Sequence, residues 1–222
     1  MRVIRASHGN PKIICATASV LKKISEETKK DFQQKYKERE HGTTDGKYFD
    51  LTPNLLRSMF EAYSLGLFVN SKTKRVLDLG TGAGYFPLTC RFLGHDDFSI
   101  DKPGRTIYPS IRDQLSIKTA EWEITPEQPL PYFDQPFDLI TAFQPVFFLY
   151  GQGEYGHPWT PLKWNKFFSA IKNKISENGA LFIGENDMSR ASQAEKKAML
   201  DCFVERNGRK CFSGWLFYKE TL

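Results

Sequence analysis

Cysteine is sparse in this chain. The four thiols, at positions 15, 90, 202 and 211, form no Cys-x-x-Cys pair and have no closely spaced histidine, so neither a metal site nor a disulfide scaffold is expected and the thiols read as buried and reduced. Long apolar runs are also missing. The longest near the start, residues 13–21, is broken by Thr17 and Ser19 and falls well short of the roughly 20 residues that span a bilayer. Ala16-Thr17-Ala18 mimics a signal-peptidase site but lies inside the apolar run instead of after it; the expected location is cytoplasmic, with no membrane partner. Charge is not one-sided: 31 Lys plus Arg against 26 Asp plus Glu gives +5, which tolerates an acidic partner without implying dedicated nucleic-acid binding. Neither a repeat nor a low-complexity tract is visible. What remains is a globular composition, 40% hydrophobic and 26% charged over 222 residues, enough for a buried core in one or two domains.

The character of the chain changes near Lys74. Before it the pattern is helical. Over residues 20–39, Leu21, Ile24, Thr28, Phe32 and Tyr36 recur every three or four positions, with Glu26/Lys30 and Asp31/Lys35 at supportive spacing, which predicts one solvated helix with a buried stripe. Residues 41–47, with Gly42 and Gly46, read as a loop. Thr52 then caps a helix with Pro53 at its first position and Gly66 as its stop. After Lys74, short apolar runs at 76–79, 98–100, 137–143 and 180–183 alternate with helical segments at 87–93, 108–115, 162–175 and 192–206. That alternation predicts a parallel sheet with crossover helices. Residues 117–124 are a weaker strand candidate, and residues 210–218 read as one terminal strand containing Gly214.

Residues 75–87 carry the most chemistry. A hydrophobic strand runs into glycines at 80, 82 and 84 and then into a helix. Glycines there allow positive φ and close approach of a ligand to the main chain. A dinucleotide fingerprint, Gly-x-Gly-x-x-Gly, would need glycine at position 85, where the chain has Tyr85, and the Gly-Lys-Ser/Thr of a phosphate-binding loop is absent. Instead Asp78 stands two residues before Gly80. A carboxylate at that place suits a cationic ligand better than a diphosphate, which it would repel.

Asp78-x-Gly80-x-Gly82-x-Gly84 resembles the first motif of class I S-adenosylmethionine-dependent methyltransferases of the bacterial small-molecule type. The resemblance covers roughly residues 48–220 and is strongest over 75–101. It implies an α/β, Rossmann-like, doubly wound and mostly parallel sheet with an antiparallel C-terminal edge strand, preceded by N-terminal helices. Residues 1–47 are then a helical extension or lid, and 48–222 the S-adenosyl-L-methionine-binding domain. It further implies that Asp78, Gly80, Thr81, Gly82 and Gly84 hold the methionine part of the cofactor. Tyr85 and Phe86, with Tyr48 and Phe49, are candidates to face the sulfonium through their rings. Asp101, closing the next strand 17 residues after Gly84, is the candidate for the ribose hydroxyls, with Lys102 beside it, although a loop carboxylate would look the same. Asp96 and Asp97 are disfavoured because they precede that strand. Glu123, with Ile124, is the candidate for the adenine amino group, and Glu121 competes with it.

The run at 137–143 matches the family's Phe-Asp-Leu-Ile strand and aims Phe143 and Gln144 at the same cleft. Gln144-Pro145-Val146-Phe147 departs twice from the Asn-Pro-Pro-Tyr/Phe motif of some members, so a pocket wall is the plainer reading. Beyond it, the glycine-rich stretch 150–159 is either a substrate lid or ordinary loop packing, with Trp159 and Trp164 anchoring the next helix. Within it His157 and Tyr155 are the candidate general bases, with Tyr150 a further one. Glu185, Asn186 and Asp187 either meet substrate or cap the following helix. A small-molecule oxygen or nitrogen acceptor is the leading expectation. An RNA or protein acceptor, or a non-catalytic cofactor-binding protein, is the alternative, and the oligomeric state is open.

Overall fold

Val76, Leu77 and Leu79 surround one carboxylate with an apolar run, and the chain there forms β1 (Arg75–Leu79), buried along nearly its whole length. The computed structural model describes residues 10–39, 45–68, 72–104, 107–128, 130–143, 149–150, 157–185 and 191–222, with the backbone alone at 39, 149, 150 and 157. The other main strands are β2 (Asp96–Asp101), β3 (Ala120–Glu121), β4 (Phe137–Ala142), β7 (Ile175–Gly184), β8 (Arg209–Cys211) and β9 (Gly214–Tyr218). They assemble in the order β3-β2-β1-β4-β7-β9-β8. β1 runs parallel to β4, β4 to β7 and β2 to β3, while β9 is antiparallel to both β7 and β8. This is the mostly parallel Rossmann-like sheet with an antiparallel edge. β5 (Leu149–Tyr150) and β6 (His157–Pro158) form a separate two-stranded antiparallel ribbon.

Two compact units divide the chain. The sheet unit comprises residues 74–81, 98–103 and 120–222. Its core is dominated by aromatic side chains: Phe137, Trp164, Phe168, Phe203 and Phe217 pack with Leu77, Leu79, Ile100, Ile140 and Leu181. Trp164 and Phe168 come from the helix Pro161–Lys172, and Phe203 from the helix Gln193–Glu205. Arg75 lies over the Phe98 and Phe137 rings at 4.7 and 5.4 Å.

The helical unit comprises the residues up to 73 together with 82–97 and 104–119. It contains α1 (Pro11–Lys23), α2 (Glu26–Arg39), α3 (Leu51–Ser64), α4 (Tyr85–Phe92) and α5 (Ile107–Gln114). The helices at Pro161–Lys172 and Gln193–Glu205 of the sheet unit are then α6 and α7. Ile13, Val20 and Phe32 of α1 and α2 share one core with Leu55 and Met59 of α3 and with Ile107 and Ile111 of α5. Among the described residues, no helix is long and apolar enough to cross a membrane.

Several boundaries differ from expectation, each for a physical reason. The single helix expected over 20–39 is two, because Ile24 turns extended (φ −73°, ψ 132°) and the Ser25 hydroxyl accepts from Thr28 N–H at 3.0 Å, starting a new helix. α3 starts before Thr52, with Asp50 at the N-cap position and Pro53 already inside. β3 is two residues long instead of spanning 117–124. Asp96 and Asp97 open β2 instead of preceding it. The single terminal strand is a hairpin, β8 and β9. Gly214 opens its second strand as a close-approach residue: a Cβ there would lie 2.2 Å from the Ile183 carbonyl oxygen.

Candidate active site

The strand order reverses between β1 and β4, and in open α/β sheets that crevice at the carboxyl ends of the strands is where ligands bind. Asp78 stands there. It is 4% exposed, and its Oδ1 accepts from the Thr141 hydroxyl of β4 at 2.8 Å. A buried carboxylate that keeps its charge needs such donors. Gly80, Gly82 and Gly84 follow, all in the left-handed region with φ of 70°, 56° and 82°. The φ at Gly84 favours glycine there, and a Cβ would press closely on Arg112 Cγ at 3.1 Å and on Ile117 methyl and methylene carbons at 3.2 and 3.3 Å.

The main-chain donors of this bend discriminate between ligands. The N–H groups of Gly80 and Thr81 both donate to the Ile100 carbonyl of β2, at 2.8 and 3.2 Å. Two amides that would otherwise help cradle a diphosphate are therefore already bonded. Thr81 Oγ1, in contrast, is buried and has no hydrogen-bond partner among the described residues. A buried hydroxyl left unmet is costly and is ordinarily explained by a water, an ion or a ligand. The carboxylate, the orphan hydroxyl and the side-chain-free bend fit a small zwitterion carrying positive charge better than a polyanion.

Asp101 ends β2, half-buried. Its Oδ1 accepts from Lys102 N–H at 3.0 Å, and its carbonyl accepts from Trp122 N–H at 2.9 Å. Lys102 itself is exposed. Glu121 is the register partner of Asp101. Glu123 lies two residues beyond the end of β3 and is exposed, whereas Ile124 is 5% exposed in the sheet core. Phe143, just past β4, sets its ring 4.9 Å from that of Phe182. In the helical unit, Tyr85 and Phe86 begin α4, both buried. The Tyr85 hydroxyl donates to the Tyr48 carbonyl at 2.6 Å; burial, reinforced by the Asp50 charge, raises its pKa. Tyr48 meets Tyr108 edge-on at 5.1 Å.

The structure brings Asp78, Gly80 and Thr81 to one edge of the sheet, near the end of β2. His157 pairs through its backbone with Tyr150 across the β5–β6 ribbon. Tyr155 and Gln144, like Asn186 and Asp187, lie outside the described residues. Trp159 and Trp164 are 3% and 0% exposed, with rings 5.3 Å apart, so they anchor α6 in the core. Glu185 is held by Lys210 and by Trp215 Nε1, the latter at 3.2 Å. The residue that caps α7 is Ser192, in a capping box with Glu195, and not Glu185. Sequence reading missed Thr141 and Arg112. Arg112 reaches back 30 residues to the Gly82 carbonyl, a separation at which no local pattern gives a signal.

No protein-family model matches the chain, and no curated protein matches it. Solved structures do resemble it. One is a TehB-like SAM-dependent methyltransferase from Corynebacterium glutamicum, with 16% identity, 71% of this chain and 84% of that chain covered, and a TM-score of 0.48. Another is a ribosomal protein L11 methylase from Lactobacillus delbrueckii subsp. bulgaricus, with 12% identity, coverage of 73% and 78%, and a TM-score of 0.44. A third is a precorrin-6y C5,15-methyltransferase from Geobacter metallireducens, with 13% identity, coverage of 68% and 71%, and a TM-score of 0.43.

Proposed function

We propose that the chain is an S-adenosylmethionine-dependent methyltransferase acting on an oxygen or nitrogen of a small molecule by in-line transfer. The observation that carries this reading is the carboxyl end of β1. There a buried carboxylate is bonded to Thr141, the first two amides of the glycine bend are already spent on Ile100, and the Thr81 hydroxyl is buried without a partner. The bound cofactor would supply an electrophilic methyl group on a sulfonium.

Asp78 and Thr81 would hold its ammonium-bearing end, with Gly80, Gly82 and Gly84 giving the main chain close approach. Asp101 would accept from the ribose hydroxyls, with Lys102 beside it, and Glu123 with Ile124 would meet the adenine. Phe143 and Gln144 are assigned to the pocket wall, and Tyr85 and Phe86 to the aromatic surroundings of the cation. Residues 1–47 are assigned as a helical extension or lid. Orientation of the acceptor lone pair would provide most of the acceleration. Where the acceptor must lose a proton, His157 or Tyr155 would take it.

Calorimetry with S-adenosylmethionine and with its demethylated product tests the reading. The folded wild type should bind both, and Asp101→Ala should weaken binding about 100-fold, the scale of losing two hydrogen bonds to a charged group. No uptake of either compound by folded protein overturns it. Methyl-labelled cofactor offered with metabolite extract or with bulk RNA then distinguishes acceptors; label should enter the small-molecule fraction.

A further inference from the structure

We propose that Arg112 of α5 is a positioning residue that sets the shape of the glycine bend, and through it the affinity for the ligand of the reading above, on which the ligand half of this inference rests. Arg112 is 6% exposed. Its Nη1 donates to the Gly82 carbonyl at 2.7 Å, a charge-assisted bond of the stronger kind. The stem of the same side chain lies over Gly84, where an added Cβ would stand 3.1 Å from Arg112 Cγ. Head and stem therefore grip two glycines of one bend.

Those two glycines have φ of 56° and 82°, and glycine is the residue that leaves such a conformation most readily because it has no side chain to restrict it. A bend of this kind needs an external hold to keep one geometry. The surroundings supply it. Tyr108, one turn before Arg112 on α5, sets its ring 3.8 Å from where a Gly82 Cβ would be, and Tyr48 meets Tyr108 edge-on. The Tyr85 hydroxyl is tied to the Tyr48 carbonyl. Arg112 contributes the bond that acts directly on the bend's own carbonyl.

Two substitutions separate the head from the stem. Arg112→Met keeps a long stem over Gly84 and removes the donors, while Arg112→Lys restores one charged donor. Two readouts apply to each: deuterium exchange of the peptide containing residues 80–86 in the unliganded protein, and calorimetric affinity for the demethylated cofactor product. Arg112→Met should exchange about 10-fold faster in that peptide and bind about 10-fold more weakly, the scale of one hydrogen bond to a charged group. Arg112→Lys should recover part of both, a recovery that mere filling of space would not produce. A folded Arg112→Met protein with wild-type exchange at 80–86 overturns the hold on the bend. Faster exchange with unchanged affinity overturns its coupling to the ligand. If the wild type takes up no cofactor, the proposed function and the ligand half fail together, while the exchange measurement still decides the hold.

Discussion

The two units bury different chemistry. Inside the sheet unit, rings pack on rings: Trp164 stacks on Phe168 with centroids 5.6 Å apart and meets Phe203 edge-on at 4.8 Å. Among the described residues the buried carboxylate there is Asp78, at the proposed site. The helical unit buries Glu61, His95 and Arg112 beside its apolar residues, while buried hydroxyls occur in both units, at Thr17, Ser58 and Thr89 in this one and at Ser99 and Thr141 in the other. His95 Nε2 lies 2.8 Å from the Leu67 carbonyl, and the Thr17 hydroxyl donates to the Ile13 carbonyl at 2.8 Å. Aromatic burial is insensitive to pH, whereas buried charges tie stability to protonation. The aromatic core of the sheet unit therefore contributes stability that does not depend on pH, whereas in the helical unit the buried Glu61, its carboxyl pushed up by burial, makes a contribution that does.

The largest expected effect tests the aromatic half of that contrast. Trp164→Ala should lower the unfolding free energy by about 3–5 kcal/mol in denaturant titration, as large-to-small changes in a packed core do; a loss below about 1 kcal/mol would break the comparison. Glu61 tests the other half. It is 4% exposed, and burial, partly offset by Arg57 at 3.0 Å, pushes its carboxyl up to about 7 from 4.5. Because the folded value is the higher one, the unfolded chain loses the proton first, so stability falls as pH rises from about 4.5 to about 7 and is level above. Glu61→Gln lacks this slope, and its stability relative to wild type should rise by about 3 kcal/mol across that window. Parallel pH profiles for the two proteins would remove the contrast between the units. A smaller effect sharpens the assignment of the site. Thr81→Val removes a hydroxyl that bonds to no described residue, so stability should move by less than about 1 kcal/mol. Affinity for the cofactor product should drop about 10-fold in the same calorimetric titration.

Much of the sheet unit is legible in the sequence because its signals are local. Val76, Leu77 and Leu79 ahead of three alternating glycines dictate strand, bend and helix within a dozen residues, and the run at 137–142 is hydrophobic enough to be a buried strand wherever it stands. The break at Ile24–Ser25 was also written locally, in a serine followed by two glutamates and a threonine, but the apolar spacing continues through it and masks it. β3 was not legible: what makes Ala120 and Glu121 a strand is pairing with Ile100 and Asp101, not their own propensity. The hairpin at 209–218 was hidden because Gly214 reads as a strand interrupter, while its reason for being glycine is the Ile183 carbonyl on another strand. At the site, Asp78 and Asp101 stand at strand ends that sequence locates. Thr141 and Arg112 reach their partners across 63 and 30 residues, and only the fold brings them there.

The commitment of the Gly80 and Thr81 amides to Ile100 limits how this bend can be re-engineered. Neutralising Asp78 would remove a repulsion, yet those two donors would remain turned toward the neighbouring strand and out of reach of a phosphoryl oxygen. Converting the chain into a nucleotide binder would thus demand a new register for β2, a change that spreads over a whole strand and that no single side-chain exchange can deliver.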